Sequence, residues 1–404
     1  MADHQAPVIN LVKKRDLLTK SLWGVFVCDT LAAAATGLFL FVYPVFITQL
    51  GGTGTQVGII FSVSLIVAAV SYLPGAILVH KMDRKTVMIL SMLTVPVSML
   101  VLWQATTWIH VLIAEALWFV GNFGAPAAIT YITEASPKEK VMHSFGIVYA
   151  GPALAYVVAP IAGAAVLFLG DSIRDLFLIA AVIRVAAPLA LLKIDSQVPK
   201  EHVRKAMTSL REIFKIEPHE LERILFLVAI VAVLSIGTPY LPLYLSEVQG
   251  HSDTVLLLFG SIGYMGAAVL SILLAELGDR KGGTIAVLVL MPVFIAGCGI
   301  LIGIDLLPAT IIAVFLLGVM SAVITIMDSI IGINTSEERR GGHLSLYLIA
   351  ESLVMAPMPF IGGLLYDGVS RESPFILGVV LAVLLMAVAS WRRDLSDTST
   401  PSTY

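Results

Sequence analysis

The chain carries twelve apolar runs, each long enough for a helix to cross a bilayer, and this pattern excludes an ordinary soluble fold. A crossing helix needs about 20 mostly apolar residues, because a bilayer offers no water to satisfy its backbone groups. Such runs lie near 22–48, 57–79, 86–106, 109–133, 143–169 and 175–194, and again near 221–246, 254–276, 284–303, 308–333, 343–366 and 374–391. Links as short as Gly51 to Gln56, Thr106 to Trp108 and Gly303 to Leu307 force neighbouring helices into antiparallel hairpins. With 58% hydrophobic and 13% charged residues, the chain leaves little for any soluble domain. The expected fold is an all-α polytopic membrane protein.

The runs fall into two sets of six in one register. A shift of 199 positions carries His80 to Asp279, Lys140 to Arg339, Pro160 to Pro359 and Gly163 to Gly362, each pair in matching surroundings. Both halves place a short charged turn after their second run, Val79 to Lys85 in one and Gly278 to Gly283 in the other. Two pseudo-symmetric six-helix bundles are therefore expected.

Charge placement sets the orientation, since Lys and Arg accumulate on cytoplasmic loops. With the N-terminus inside, only Arg174 and Arg371 of the 25 basic residues fall on the outer side, and Arg184 lies within a span. The expected organisation is a cytoplasmic N-terminal segment (1–20), a first bundle (21–194), a cytoplasmic linker (195–220), a second bundle (221–392) and a cytoplasmic tail (393–404). In the linker, Val203, Met207, Leu210, Phe214 and Ile216 oppose a basic face at helical spacing, which predicts an interfacial helix. No cleavable leader is read at the N-terminus, and the protein is placed in the cytoplasmic membrane.

Six plus six helices, a long middle loop and a basic turn after the second span of each half resemble the major facilitator superfamily of secondary transporters. The resemblance covers residues 21–392. Its Gly-x-Leu-Ala-Asp-Arg-x-Gly-Arg-Lys motif is met in the second half by Asp279, Arg280 and Gly282. The first half keeps Leu78, replaces the Asp by His80, the Arg by Lys81 and the Gly by Asp83, and ends on Arg84 and Lys85. The resemblance implies that His80, Asp83, Arg84, Asp279, Arg280 and Gly282 act as a conformational latch. A carboxylate there can sit at a neighbouring helix N-terminus while the arginine pairs with an acid, and His80 would add a pH-sensitive element.

The fifth span carries Gly146, Ala155, Ala159, Pro160 and Gly163, which resembles the superfamily's antiporter motif with Ala at two Gly places. Small residues let helices approach closely, and in the family the pattern accompanies efflux. The arginine common in the fourth span of proton-coupled members is replaced by Leu117, although the exit Glu134-Ala-Ser-Pro137 matches the family pattern.

Ionisable residues inside spans are costly enough to be functional candidates. Asp29, Glu115, Arg184, Asp328 and Glu351 are such residues. At about 1.5 Å per residue, Asp29, Glu351 and Arg184 lie roughly 10, 12 and 15 Å from the inner face, with Glu115 toward the outer one. Carboxylates among apolar helices can take up and release a proton as their surroundings change, which is what proton coupling requires. Family resemblance places Asp29, Glu115 and Asp328 on path-lining helices and Arg184 on a peripheral one. Asn122, Tyr149, Tyr240 and Tyr264 are candidate hydrogen-bonding residues of a substrate cavity.

The expected function is proton-coupled efflux, by alternating access, of a lipophilic or cationic small molecule, with an uptake symporter for a metabolite as the alternative. The partners expected are the bilayer, a small-molecule substrate and protons, with the protein a monomer. No basic face suggests nucleic acid, no cofactor is implied, and Cys28 and Cys298 in apolar runs speak against a thiolate metal site. A membrane enzyme or receptor finds little support: His219-Glu220-Leu221-Glu222-Arg223 lacks the second histidine of a metallopeptidase helix, and neither a Gly-x-Ser-x-Gly elbow nor a Walker loop occurs.

Overall fold

The computed structural model describes residues 19–137, 140–170, 172–198, 228–281, 283–322 and 340–391, and helix is the only regular secondary structure among them. Eight of the helices are long and apolar enough to cross a membrane, from Gly54–Lys81 to Leu346–Gly368. Shorter apolar helices occupy Leu288–Gly303, Leu307–Ala322 and Ser373–Val388. The expected linker helix beyond residue 198, the residues around Asp328 and the C-terminal tail lie outside the described residues.

Several runs that the sequence reads as single helices are broken, and prolines mark the breaks. The first span runs from Lys20 to Gly37 and resumes as Tyr43–Gln49 with Pro44 in its opening turn. A proline there has no amide hydrogen to lose, so it starts a helix readily but cannot continue one. The seventh span, Val228–Glu247, breaks in the same register, through a 3-10 turn at Thr238–Tyr240 containing Pro239 before Leu241–Glu247. The fourth changes from Trp108–Val120 to Ala125–Ala135 through the 3-10 turn Gly121–Gly124. The eleventh passes from Arg340–Met355 to Pro357–Gly368.

The 199-residue shift reappears in the backbone. Gly51 (φ 80°) and Gly250 (φ 73°) stand that far apart and make the same left-handed turn, which favours glycine, after the first helix of each half. The next helices start in register at Gly54 and Asp253, then at Arg84 and Gly283. One expectation is corrected: the charged segments are not wholly turns. Helix continues through Lys81 and Lys281, so His80 sits in a last helical turn and only Met82 and Asp83 link the second and third spans.

Packing follows helical periodicity. In the sixth span Leu176, Phe177, Ala180 and Ala181 are buried while Val182, Val185, Leu189 and Leu192 stay exposed. An exposed apolar stripe on a membrane helix is the face given to lipid. The end of the first half near Gly51 is filled by Phe39, Tyr43, Phe46 and Phe177, with Phe39 and Phe46 rings 4.8 and 4.9 Å from that of Phe177.

Candidate functional site

The halves meet tightly at the end of the molecule where the first span finishes and the second begins. The second helix starts at Gly54 behind a capping box, Thr53 with Gln56. Its free amides still point across to the other half. Gly54 N–H and Thr55 N–H donate to the two carboxylate oxygens of Asp367 at 3.1 and 2.7 Å, and Thr55 Oγ1 donates at 2.8 Å. A carboxylate is well placed at a helix N-terminus, where unpaired amides and the helix dipole both favour negative charge.

Asp367 is itself held by Arg371 at 3.2 Å, and Arg371 reaches Glu247 of the seventh span at 3.3 Å. Tyr366 donates to Glu247 at 3.1 Å and lies under the Arg371 guanidinium. Below this network the Tyr240 and Tyr366 rings stack at 5.2 Å, and Tyr240 donates to the Pro359 carbonyl. Glycine makes the approach possible, since a Cβ on Gly363 would sit 2.6 Å from the Gly54 carbonyl. Phe360 N–H donates to Ser62 at 3.1 Å, and Gln49 reaches Asp253 at 3.0 Å.

On the other side of the molecule the fifth span packs on the first and the eighth. Ala155, Ala159 and Pro160 face inward, and a Cβ on Gly37 would come within 2.9 Å of that of Ala159. Gly163 meets the Leu38 carbonyl and the Leu257 side chain of the eighth span. The antiporter-like residues thus form a close helix–helix seam. Gly146, nearer the opposite end, has open space beside it. Ser261 donates to the Val157 carbonyl, and the Tyr156 and Tyr264 rings stand 5.1 Å apart across the two halves.

Charged side chains gather just inside this closure. Leu22, Val25, Asp29, Ala32 and Thr36 lie along one stripe of the first helix. Asp29 is half-buried and makes no hydrogen bond or ion pair among the described residues. Two turns further on, Thr36 donates to the Ala32 carbonyl at 3.1 Å, so its lone pairs face outward, and the Arg184 guanidinium donates to them. Arg184 also lies over the Trp118 ring at 5.7 Å. Arg184 and Tyr156 are both electrostatic neighbours of Asp29.

The sequence reading placed Arg184 at the periphery; its position between Ala181 and Ala187 on the buried stripe turns it inward instead. It stands beside the fourth span, over the Trp118 ring.

The other ionisable residues serve different surroundings. Glu115 is buried and accepts from Tyr43 at 2.7 Å, within the aromatic packing around Phe39 and Phe177. Glu351 is buried at 8% exposure, turned away from lipid. Asp328 and Gly282 lie outside the described residues, as do the side chains of Asp279 and Arg280. Among the cavity candidates, Tyr264 joins Tyr156 at the seam, and Tyr149 is exposed and stacks on Phe145 at 5.9 Å. Asn122 donates to Tyr72 at 3.5 Å, between the fourth and second spans. Tyr240 is fully buried in the closure and lines no open wall in this conformation.

At the opposite end, the first-half turn fastens the bundle to itself. Arg84 pairs with Glu134 at 2.8 Å and donates to the Gln197 carbonyl at 3.1 Å. Asp83 accepts from Gln197 N–H at 2.7 Å, and Lys85 donates to the carbonyls of Leu192 and Ile194, both at 2.9 Å. The turn therefore ties the second and third spans to the ends of the fourth and sixth. His80 is buried beneath it with neither ring nitrogen hydrogen-bonded.

Sequence reasoning missed Asp367, Glu247 and Arg371, and also Thr36, Trp118 and Tyr156. A signal for the closure was present: Gly54 and Gly58, four apart, followed by Ser62, give the second helix a stripe of small residues. A signal for Arg184 was present too, because Val182, Val185, Leu189 and Leu192 mark the opposite face as lipid-directed.

Comparison with known proteins is consistent with this architecture. Residues 25–327 match the family model of the Major Facilitator Superfamily. Two relatives, each called multidrug resistance protein MdtG, come from Klebsiella pneumoniae (strain 342) and Escherichia coli strain K12. The first is 25% identical over 399 residues, covering 93% of this chain and 94% of the relative. The second is 26% identical over 407 aligned positions, covering 94% of each. Among solved structures, the nucleoside transporter NupG superimposes with a TM-score of 0.70 at 12% identity, over 93% of this chain and 99% of that one. A bacterial homolog of the human lysosomal transporter Spinster, inward-facing and unoccupied, gives 0.68 at 15% identity, over 94% and 98%.

Proposed function

From its membership of the major facilitator superfamily, a family of secondary transporters moving small molecules across membranes, we propose that this protein exports lipophilic or cationic compounds in exchange for protons. The relatives named for multidrug resistance support efflux as the direction. The cross-half closure at one end supports alternating access, caught here with the Gly54 end shut. The distribution of Lys and Arg supports a cytoplasmic position for both termini, and on that reading the shut end is the outer one.

The observation that carries proton coupling is Asp29, a half-buried carboxylate within a span and without a hydrogen bond among the described residues. A group so placed can hold either a proton or the cationic part of a substrate, and exchange of one for the other is antiport. In liposomes, an imposed proton gradient should drive substrate counter to proton flow in the wild type, and Asp29→Asn should abolish it. Undiminished proton-driven flux in that variant would remove Asp29 from the coupling, and net movement of substrate with the protons would reassign the protein to symport.

A further inference from the structure

An arginine inside a membrane domain is expensive unless an anion answers it. Arg184 has none in contact: it forms no ion pair among the described residues, and its Nε is buried without a hydrogen-bond partner. The contacts it does make, with the Thr36 hydroxyl and the Trp118 ring, hold the guanidinium in place without neutralising it. Asp29, the nearest acid on the adjoining helix, is likewise unclosed. Two opposite charges thus face one region, close enough to attract each other and not joined.

Their spacing is set by the helix. Asp29 and Thr36 are seven residues apart on one stripe, so the carboxylate and the anchored guanidinium are separated by roughly 10 Å along the axis. Tyr156 lies near both charges, and its ring pairs with that of Tyr264 from the other half. With Trp118, these rings supply apolar surface beside the two charges.

Resting on the antiport reading for the role of Asp29, we propose that Arg184 and Asp29 form a two-point site for an amphipathic zwitterion. Arg184 takes the carboxylate of the substrate, Asp29 takes its protonated amine, and the aromatic rings take the body between them. A guanidinium accepts a carboxylate in bidentate geometry, and the ligand's charges replace an attraction the protein leaves unclosed. Protonation of Asp29 cancels one of the two anchors while Arg184 keeps its charge, so the site releases the amine end first.

The test uses 4′-(aminomethyl)biphenyl-4-carboxylic acid, a rigid zwitterion with widely separated charges, beside its methyl ester (cation only) and 4′-methylbiphenyl-4-carboxylate (anion only). Binding to the purified full chain is read by fluorescence titration near neutral pH. The zwitterion should bind about tenfold more tightly than either single-charge control, as expected for one added charge-assisted contact. Arg184→Gln should bring the zwitterion's affinity down to that of the ester, and Arg184→Lys should restore part of the preference. Equal affinity of the wild type for zwitterion and ester would overturn the proposal, as would a preference retained in Arg184→Gln. The wild-type comparison needs no variant, so it stands even if a substitution fails to fold. Export of the ester in wild-type liposomes under a proton gradient tests the antiport reading separately: its failure with the zwitterion preference intact would spare the site, and the reverse would spare antiport.

Discussion

Asp367, at the end of the eleventh span, caps the start of the second by accepting from Thr55 twice, through its amide at 2.7 Å and its hydroxyl at 2.8 Å. The carboxylate belongs to one half of the sequence and the amides to the other, so the cap exists only while this end is shut. Opening it strands the Gly54 and Thr55 amides, while the Arg371 bridge between Asp367 and Glu247 lies wholly within the second half and stays with it. The closure is thus a helix cap that reports conformation.

Removing the cap should therefore bias the transporter toward opening at that end. Loss of a capping side chain costs about 0.5–2 kcal/mol, and 1.4 kcal/mol is tenfold in population. A cysteine at Phe41, which packs against Gly260 across the halves, can report this in a background lacking Cys28 and Cys298. Labelling by a membrane-impermeant maleimide should rise about tenfold on Asp367→Ala. Unchanged labelling would mean that the cap does not hold the closure.

Gly363 offers a steric version of the same experiment. A Cβ there would stand 2.6 Å from the Gly54 carbonyl and 2.8 Å from the Thr55 Cα, both backbone atoms that cannot swing aside. Gly363→Val should keep the end from shutting and stop turnover while leaving the protein in the membrane. Gly368, with open space around it, should tolerate alanine with full transport. Equal activity in the two variants would argue against this contact as the seal.

The Arg84–Glu134 pair should contribute stability rather than switching. Arg84 is 4% exposed and Glu134 42%, so the pair is only partly shielded from solvent. Glu134→Gln is expected to cost about 1 kcal/mol, discounted for that exposure. Arg84→Ala should cost more, about 2–3 kcal/mol, because it also removes the side-chain hydrogen bond to the Gln197 carbonyl, which keeps only the backbone N–H of residue 84 at 3.2 Å. Thermal unfolding in detergent checks the order; a double-mutant cycle with no coupling between the two would show the pair to be incidental.

Glu115 and Asp29 should respond differently to the same change. Glu115 has a dedicated donor in Tyr43, and Glu115→Gln keeps an oxygen that can accept from it. Transport and its pH dependence should survive that substitution, whereas Tyr43→Phe should destabilise by about 1–3 kcal/mol by leaving a buried acceptor unpaired. Loss of proton-driven flux in Glu115→Gln would instead place Glu115 in the proton path beside Asp29.

The amino-acid sequence by itself determined the membrane class, the paired plan and the residues worth suspecting. Bilayer physics acts on composition and run length, and a duplicated register is visible wherever glycine, proline and charge recur at the same interval; Gly51 and Gly250 turn alike for that reason. Helix breaks were also foreshadowed, since Pro44, Pro239 and Pro357 each restrict the backbone locally. Which ionisable side chains meet was decided only by tertiary structure. Thr36 faces Arg184 because two helices 148 positions apart in sequence cross at that height, and Asp367 reaches Thr55 across 312. Such pairings depend on helix rotation and on approach distances of a few ångströms, set by the packing of many small residues at once, and no local pattern encodes them.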